Sequence, residues 1–397
     1  MAPRLLFLAL LALAATASAG PDALPGVADP AWDARFVRTE GWTGGDGAYS
    51  VDLHDGRVLW IFGDTFVGPV VDGRHAPGSA MVNNTVAIHP APRDGSPPAP
   101  ESLVFSWGPP DGAGKPTAWI RPEPPVAPEG SHATWYWIGD GVVAAGPDGA
   151  PRLLLFLAEM ARRDGGEGIW NFRQVGGALA IVEDYSGPPS AWRPRQVRIP
   201  HVVALDAPDP VLRDTSWGAA VWRKPGDGWL YVFGVRETHP LNKQLVLARA
   251  PLDGVEDPST WRFRAGDGWS EDVRGAAPIA DGLVNELSVD RATVAGRSRL
   301  VMVHSEPVFG RRLLARTADR PEGPWSDPVA FYEAPGMEGQ ERRFPYAGKA
   351  HLECSRPGEL LVSYAVNSHD FADVVREAAV YRPYFVRVPL DALAPRR

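Results

Sequence analysis

Apolar and polar positions along this chain fall into a repeating unit. The stretch from Gly41 to Gly68, GWTGGDGAYSVDLHDGRVLWIFGDTFVG, reads as an alternating strand, a tight turn at Asp55-Gly56 and a second, more apolar strand. The layout recurs. A second copy starts near Gly139 in WYWIGDGVV, turns at GPDGAP and ends at Glu159 in LLLFLAE. The third runs from Trp217 through KPGDGW to Glu237, the fourth from Glu286 through VAGRS to Glu306, and the fifth from Lys349 through SRPGE to Asn367. Start and end markers stand 18, 20, 20, 20 and 18 residues apart, so the copies are units of one architecture.

A third strand follows each hairpin: MVNNTVAIHP, GALAIVED, QLVLARAPLDG, RLLARTADRPEG and YFVRVPLDAL. A fourth follows in four copies: SLVFSWG, RPRQVRIP, WRFRAGDGW and PVAFYEAP. The fifth copy has no fourth strand after it. The strand-like segment Ala34 to Trp42, ARFVRTEGW, is therefore expected to complete the last sheet. Four-stranded repeats of about 40–60 residues are the signature of a β-propeller. The expected fold is all-β, a five-bladed β-propeller with an N-terminal strand closing the last blade. Pro/Gly-rich loops such as Pro69 to Ser79 and Pro109 to Ser131 are expected to cover one face. No amphipathic helix or interdomain linker stands out.

The first residues, MAPRLLFLALLALAATASAG, change the compartment. Arg4 precedes an apolar run, and Ala17-Ser18-Ala19 is a small-residue cleavage site. Residues 1–19 read as a signal peptide, residues 20–397 as one propeller domain, and the mature chain as secreted or periplasmic. Cys354 is the single cysteine, so stability rests on core area rather than on an intrachain disulfide. A net charge of −8 argues against nucleic acid or an anionic membrane surface as partner. Fifteen Trp fit packed blades, carbohydrate stacking, or both. A monomer is expected.

In a propeller the first strand of each blade lines the axis, and its start lies beside the end of the second strand. The marker residues therefore converge on one funnel. This gathers Asp46, Asp64, Glu159, Glu237, Glu286 and Glu306, with Lys349, His351 and Asn367 opposite. Crowded carboxylates raise some pKa values and leave others charged, as glycoside hydrolysis needs. Each acid is also open to a plainer reading, as a solvated rim charge or a backbone cap. Arg162, Arg163 and Arg236 are candidate partners for Glu159 and Glu237. Trp42, Tyr49, Trp135 and Trp217 are candidates for stacking on sugar faces or for core. Asn83, in NNT, is read as a polar residue near the funnel.

The segments DGAYSVDLHDGRVLWIFGDTFVG, NNTVAI and YAGKAHLE…LLVSYAVNS resemble a family of five-bladed propellers built on an uncharacterised domain. That family is similar to arabinanase- and invertase-like glycoside hydrolases, and some members are linked to endo-acting D-arabinan cleavage. The resemblance covers nearly all of the mature chain. It implies that Asp46 is base or nucleophile and that Glu286, in VNELSVD, is the acid, with Glu306 as its alternate. Asp64 would then hold the acid's pKa high. Blade two offers only Asp140 on its inner strand and blade three offers Trp217, which departs from the pattern.

Two functions follow. One is an exported glycoside hydrolase acting on a furanoside-containing polysaccharide, with a polysaccharide or oligosaccharide as partner. The other is a non-catalytic carbohydrate-binding propeller. A protein-binding propeller would call for a hydrophobic top face, whereas this rim is acidic. No G-x-S-x-G elbow, H-E-x-x-H helix or paired Cys/His spacing appears, and GAGKPT lacks the first glycine of a phosphate loop. No cofactor and no metal ligand set is expected. The number of carboxylates still leaves room for an axial Ca²⁺.

Overall fold

The computed structural model describes residues 23–123, 134–162, 171–201, 215–239, 242–336 and 342–395. The expected leader lies outside them. Five antiparallel sheets follow one another along the chain, as the repeats require. From axis to rim, blade 1 is Tyr49–Asp52, Arg57–Phe62, Thr85–Pro90 and Val104–Ser106. Blade 2 is Trp135–Ala145, Pro151–Arg162, Phe172–Val182 and Arg195–Arg198. Blade 3 is Thr215–Arg223, Trp229–His239, Asn242–Pro251 and Arg262–Ala265, and Gly268–Ser270 extends it. Blade 4 is Leu287–Val294, Arg297–Ser305, Arg312–Ala318 and Val329–Glu333.

Blade 5 is Arg343–Ala350, Glu359–Ser368, Pro383–Pro389 and, from the other end of the chain, Val27–Ala28. Val27 pairs with Arg387 and Ala28 with Val386, so an N-terminal strand closes the ring. The closing strand is not the segment Ala34 to Trp42. Pro30–Asp33 is a short helix capped by the Asp29 carboxylate, and Ala34–Phe36 continues it as a 3₁₀ turn. The i, i+4 spacing of Trp32 and Phe36 is the helical signal, and both rings are fully buried. Trp42–Gly45 joins Thr65–Val67 and Ala80–Val82 in a separate three-stranded sheet beside blade 1.

Second strands explain the apolar runs. A blade is covered on both faces, so alternate residues enter different cores. In blade 2, Leu153, Leu155 and Leu157 pack toward blade 1 while Leu154 and Phe156 pack toward blade 3. In blade 4, Leu300 and Met302 face blade 3 while Val301 and Val303 face blade 5. One core fills each gap between neighbouring blades. The gap between blades 5 and 1 holds Trp32, Phe36, Trp60 and Phe385. Trp32 lies 5.4 Å from Phe385 and 5.9 Å from Trp60, ring to ring. Side-chain polarity is left to the strand ends, which is where function can be placed.

Trp32 links the closing segment to both the first and the last blade. Trp32→Ala should lower stability by about 3–5 kcal/mol through the cavity it leaves. Urea unfolding monitored by far-UV circular dichroism checks this. A midpoint equal to that of the wild type would mean that closure contributes little.

Candidate functional site

Two aspartates sit together where the inner hairpin of blade 1 opens. Gly63 N–H donates to Asp46 O at 2.9 Å and Asp46 N–H to Asp64 O at 3.3 Å, so the backbone ladder holds the pair side by side. Gly47, at φ 83°, turns the chain into the inner strand. Asp46 Oδ2 accepts two hydroxyl hydrogen bonds, from Tyr346 at 2.7 Å and Tyr381 at 2.8 Å. Tyr381 stands at φ 73°, a left-handed backbone position that a tyrosine resists. Oδ1 lies against Gly63, where any Cβ would come within 2.4 Å of it. Asp64 Oδ1 accepts from Trp137 Nε1 at 2.9 Å and from Asn83 Nδ2 at 3.1 Å.

The electrostatics separate the partners. Burial, then the charges of Asp64 and Glu286, push the Asp46 carboxyl up to about 8, against the pull of the two tyrosine hydroxyls. Burial also raises Asp64, opposed by the Trp137 and Asn83 donors and by the charge of Arg162. The two aspartates titrate as one unit. At neutral pH this pocket favours a proton on Asp46.

Glu286 enters from blade 4, partly open to solvent, with Oε1 3.8 Å from Lys349 Nζ. Lys349 is wholly buried, and its ammonium lies 4.0 Å from the centre of the Tyr49 ring with no hydrogen-bond acceptor. Burial lowers its pKa, while Glu286, Asp46 and Asp140 oppose that shift. A bulge between Tyr346 and Lys349 re-aims the inner strand of blade 5. Tyr346 thereby serves the aspartate pair and Lys349 the axis. Below Lys349 a cavity of about 360 Å³ runs toward the other end of the propeller, lined by Asp140, Asp290 and Glu353 among others. Burial raises all three acids, Asp140 to about 7. Among the described residues no three His, Cys, Asp or Glu groups converge as metal ligands.

The structure thus brings together Asp46, Asp64, Glu286, Asn83 and Lys349. It places other candidates elsewhere. Glu306 lies outside the acid cluster, because Arg312 holds its carboxylate and keeps its pKa below the usual range. Trp42 and Trp217 are core residues, stacked on Phe105 at 4.7 Å and near Phe263 at 5.3 Å, and cannot lie on a sugar. Tyr49 is buried, its hydroxyl donating to Ala219 O at 3.1 Å. His351 is buried between Ser50, 2.6 Å away, and Ser363, 2.7 Å away. Burial and the Lys349 charge depress it to about 3, so it is a neutral staple between blades 1 and 5 rather than a substrate contact. Lys349 too is sealed from solvent, so it acts on the acids and not on a ligand directly.

Glu237 is exposed on the blade 3 rim, 3.3 Å from Lys243. Glu159 is buried against Arg198 and Thr134 rather than Arg162, and Arg163 lies outside the described residues. Trp135 is half-buried, edge-on to Trp137 at 6.2 Å. Asn367 is half-buried opposite Phe344 in the blade 5 register. Sequence reasoning missed Tyr346, Tyr381, Trp137 and Gly63, and it assigned Arg162 to Glu159 or Glu237 where its charge acts on Asp64. Trp137 was within reach of it, since WYW places Trp137 on the same strand face as Trp135. The two tyrosines were not, since 300 and 335 residues separate them from Asp46.

A crystal structure from Bacteroides ovatus, provisionally described as a hydrolase, is similar over 91% of this chain and 90% of its own, with a TM-score of 0.69 and 20% identity. The catalytic domain of a Coprinopsis cinerea GH62 α-L-arabinofuranosidase overlays 88% of this chain and 92% of its own at a TM-score of 0.43 and 12% identity. The notoamide biosynthesis cluster protein J' of Aspergillus versicolor is 32% identical over 123 residues, which are 30% of this chain and 32% of that protein. The fold, a five-bladed β-propeller, is shared with the Bacteroides ovatus structure. The model of the domain of unknown function DUF5005 matches residues 29–390, nearly the whole propeller, and the chain belongs to that family.

Proposed function

We propose that this protein is an exported glycoside hydrolase that cleaves a furanoside-containing polysaccharide with Asp46 and Glu286 as its working carboxyls. The observation that carries the reading is the Asp46–Asp64 pair, held side by side by the blade 1 hairpin with Oδ2 of Asp46 on two tyrosine hydroxyls, and accompanied by a partly exposed glutamate from blade 4. Burial and the Asp64 charge favour the protonated form of Asp46, and glycosidic cleavage needs one protonated carboxyl working with a second.

The residues suggest a division of labour. Oδ2 of Asp46 is taken by two tyrosine hydroxyls, so its proton sits on Oδ1, beside the space that Gly63 keeps clear. Asp46 then donates this proton to the departing glycosidic oxygen. Glu286, beside the Lys349 ammonium, either activates a water that attacks the anomeric carbon or attacks it directly, forming a glycosyl ester that a water deprotonated by the Asp46 carboxylate then cleaves. Asp64 stays in place on Trp137 and Asn83 and keeps the Asp46 proton affinity high. This exchanges the roles that family resemblance implies for Asp46 and Glu286, and burial is the reason. The apolar leader at residues 1–19 supports export.

Activated aryl glycosides test the division. Their leaving groups need no proton, so Asp46→Asn should lose on the order of 10²–10⁴-fold in kcat/KM on arabinan yet keep most of its kcat/KM on a dinitrophenyl arabinofuranoside. Glu286→Gln should lose both. Equal loss on both substrates for Asp46→Asn would instead give Asp46 the base role. Absence of turnover in the wild type on every arabinan, arabinoxylan and fructan, with glycan binding retained, would favour the binding propeller.

The pH profile follows from the same shift. Asp46 donates only while protonated, so kcat/KM should fall as pH rises through about 8. Asp64→Asn removes the neighbouring negative charge, makes ionisation of Asp46 easier and should move that basic limb to lower pH. A limb that stays in place in Asp64→Asn would show the pair to be uncoupled.

Gly63→Ala should keep the fold and displace Oδ1, costing on the order of 10² in kcat through misplacement of the acid. Wild-type rates in a variant with an unchanged thermal midpoint would remove Gly63 from the account.

A further inference from the structure

The aromatic side chains expected at the sugar are largely buried, and a different set faces the opening. The second and third strands of blade 4 join through residues 307–310. Gly310 N–H donates to Pro307 O at 3.2 Å, closing a four-residue turn. Its central residues, Val308 and Phe309, have φ of 59° and 56°. Turns of this hand normally take Gly, Asn or Asp, and a β-branched valine is the poorest choice. Both side chains are nevertheless exposed, at 57% and 49%. The chain therefore presents two large apolar groups to water on a backbone that disfavours them, and such outliers gather at ligand-binding positions.

The turn is anchored from below. Glu306 accepts the Arg312 backbone N–H at 3.2 Å and Arg312 Nε at 2.9 Å. Its side chain fills the space where a Cβ on Gly310 would fall, 2.3 Å from Cγ. Glu306 thus supports the turn.

Position connects the turn to the acids. It follows a second strand, so it lies on the face that carries Asp46. The Phe309 ring is 4.5 Å from Phe344 and 4.9 Å from His369. Phe344 is 5.8 Å from Tyr346, whose hydroxyl is bonded to Asp46. An aromatic run thus leads from the acid to the rim and ends in an exposed ring. One face of a sugar is lined with C–H groups and its edge with hydroxyls. An exposed ring packed on fixed neighbours binds that face and leaves the hydroxyls in water.

We propose that Phe309, backed by Phe344 and His369, is a stacking platform for a sugar residue distant from the cleaved bond, so that the site takes a polysaccharide chain rather than a disaccharide. The direction of the chain rests on the hydrolase reading, but stacking is measurable without turnover. Native gels cast with arabinan, arabinoxylan or β-1,3-galactan give the readout, with Asp46→Asn run beside the wild type. At least one polymer should retard both proteins. Phe309→Ala should bind that polymer about 10-fold more weakly, and Phe309→Trp should keep the retardation. On the retarding polymer Phe309→Ala should raise KM, with the rate on a dinitrophenyl arabinofuranoside unchanged. Equal retardation of Phe309→Ala and wild type, or no retardation of the wild type by any polymer, would overturn the platform. Phe309-dependent retardation without wild-type turnover would leave the platform standing and remove the hydrolase reading.

Discussion

The site depends on one constraint, the placing of the half-buried Asp46 carboxyl beside a second aspartate. A carboxylate taken out of water resists ionisation, and a like charge next to it adds to that resistance. Two tyrosine hydroxyls on Oδ2 limit the effect and fix the orientation. Tyr346 comes from the inner strand of blade 5 and Tyr381 from the segment after the short helix Phe371–Arg376, while Asp46 and Asp64 belong to blade 1. Ring closure therefore sets the acid's environment. The strand Val27–Ala28, the Asp29 cap and the buried Trp32 are remote from the chemistry, yet they hold the two blades on which it stands.

The propeller makes such a site accessible to evolution. Blades are apolar on both faces, so polar groups collect at strand ends, and five sets of ends meet at one opening. Inner-strand irregularities then direct individual side chains. The break in register after Tyr346 lets consecutive parts of one strand serve the acid pair and the axis. Lys349 lies between these regions. It supplies an internal positive charge to Glu286 and Asp46 on one side and to Asp140 on the other.

Much of the architecture was legible in the sequence, because propeller repeats are local. Hairpins, third strands and fourth strands are read from alternation and turn residues, and five sheets follow in that order, although the inner strand of blade 5 is Arg343–Ala350, so Lys349 stands near its end and not at its start. Closure was legible in kind and not in place. Two residues, Val27 and Ala28, give no periodic signal, while Phe36, one of the helical Trp32–Phe36 pair, lies in the Ala34 to Trp42 segment that also reads as a strand. In the site, Asp46 and Asp64 were legible since one hairpin joins them. Tyr346 and Tyr381 were not, since their contact with Asp46 exists only after the ring closes. Trp42 and Trp217 show the converse difficulty. Composition cannot tell an aromatic in an interblade core from one at a sugar site, and here the interblade cores absorb them.

The proton on Asp46 is the central claim, and carboxyl titration observes it directly. Protein labelled with ¹³C at the aspartate carboxyl carbons should show one resonance titrating near pH 8 that is missing from Asp46→Asn. If every aspartate resonance present in the wild type and absent from Asp46→Asn instead titrates near the ordinary value of about 4, Asp46 is ionised at neutral pH and cannot be the acid.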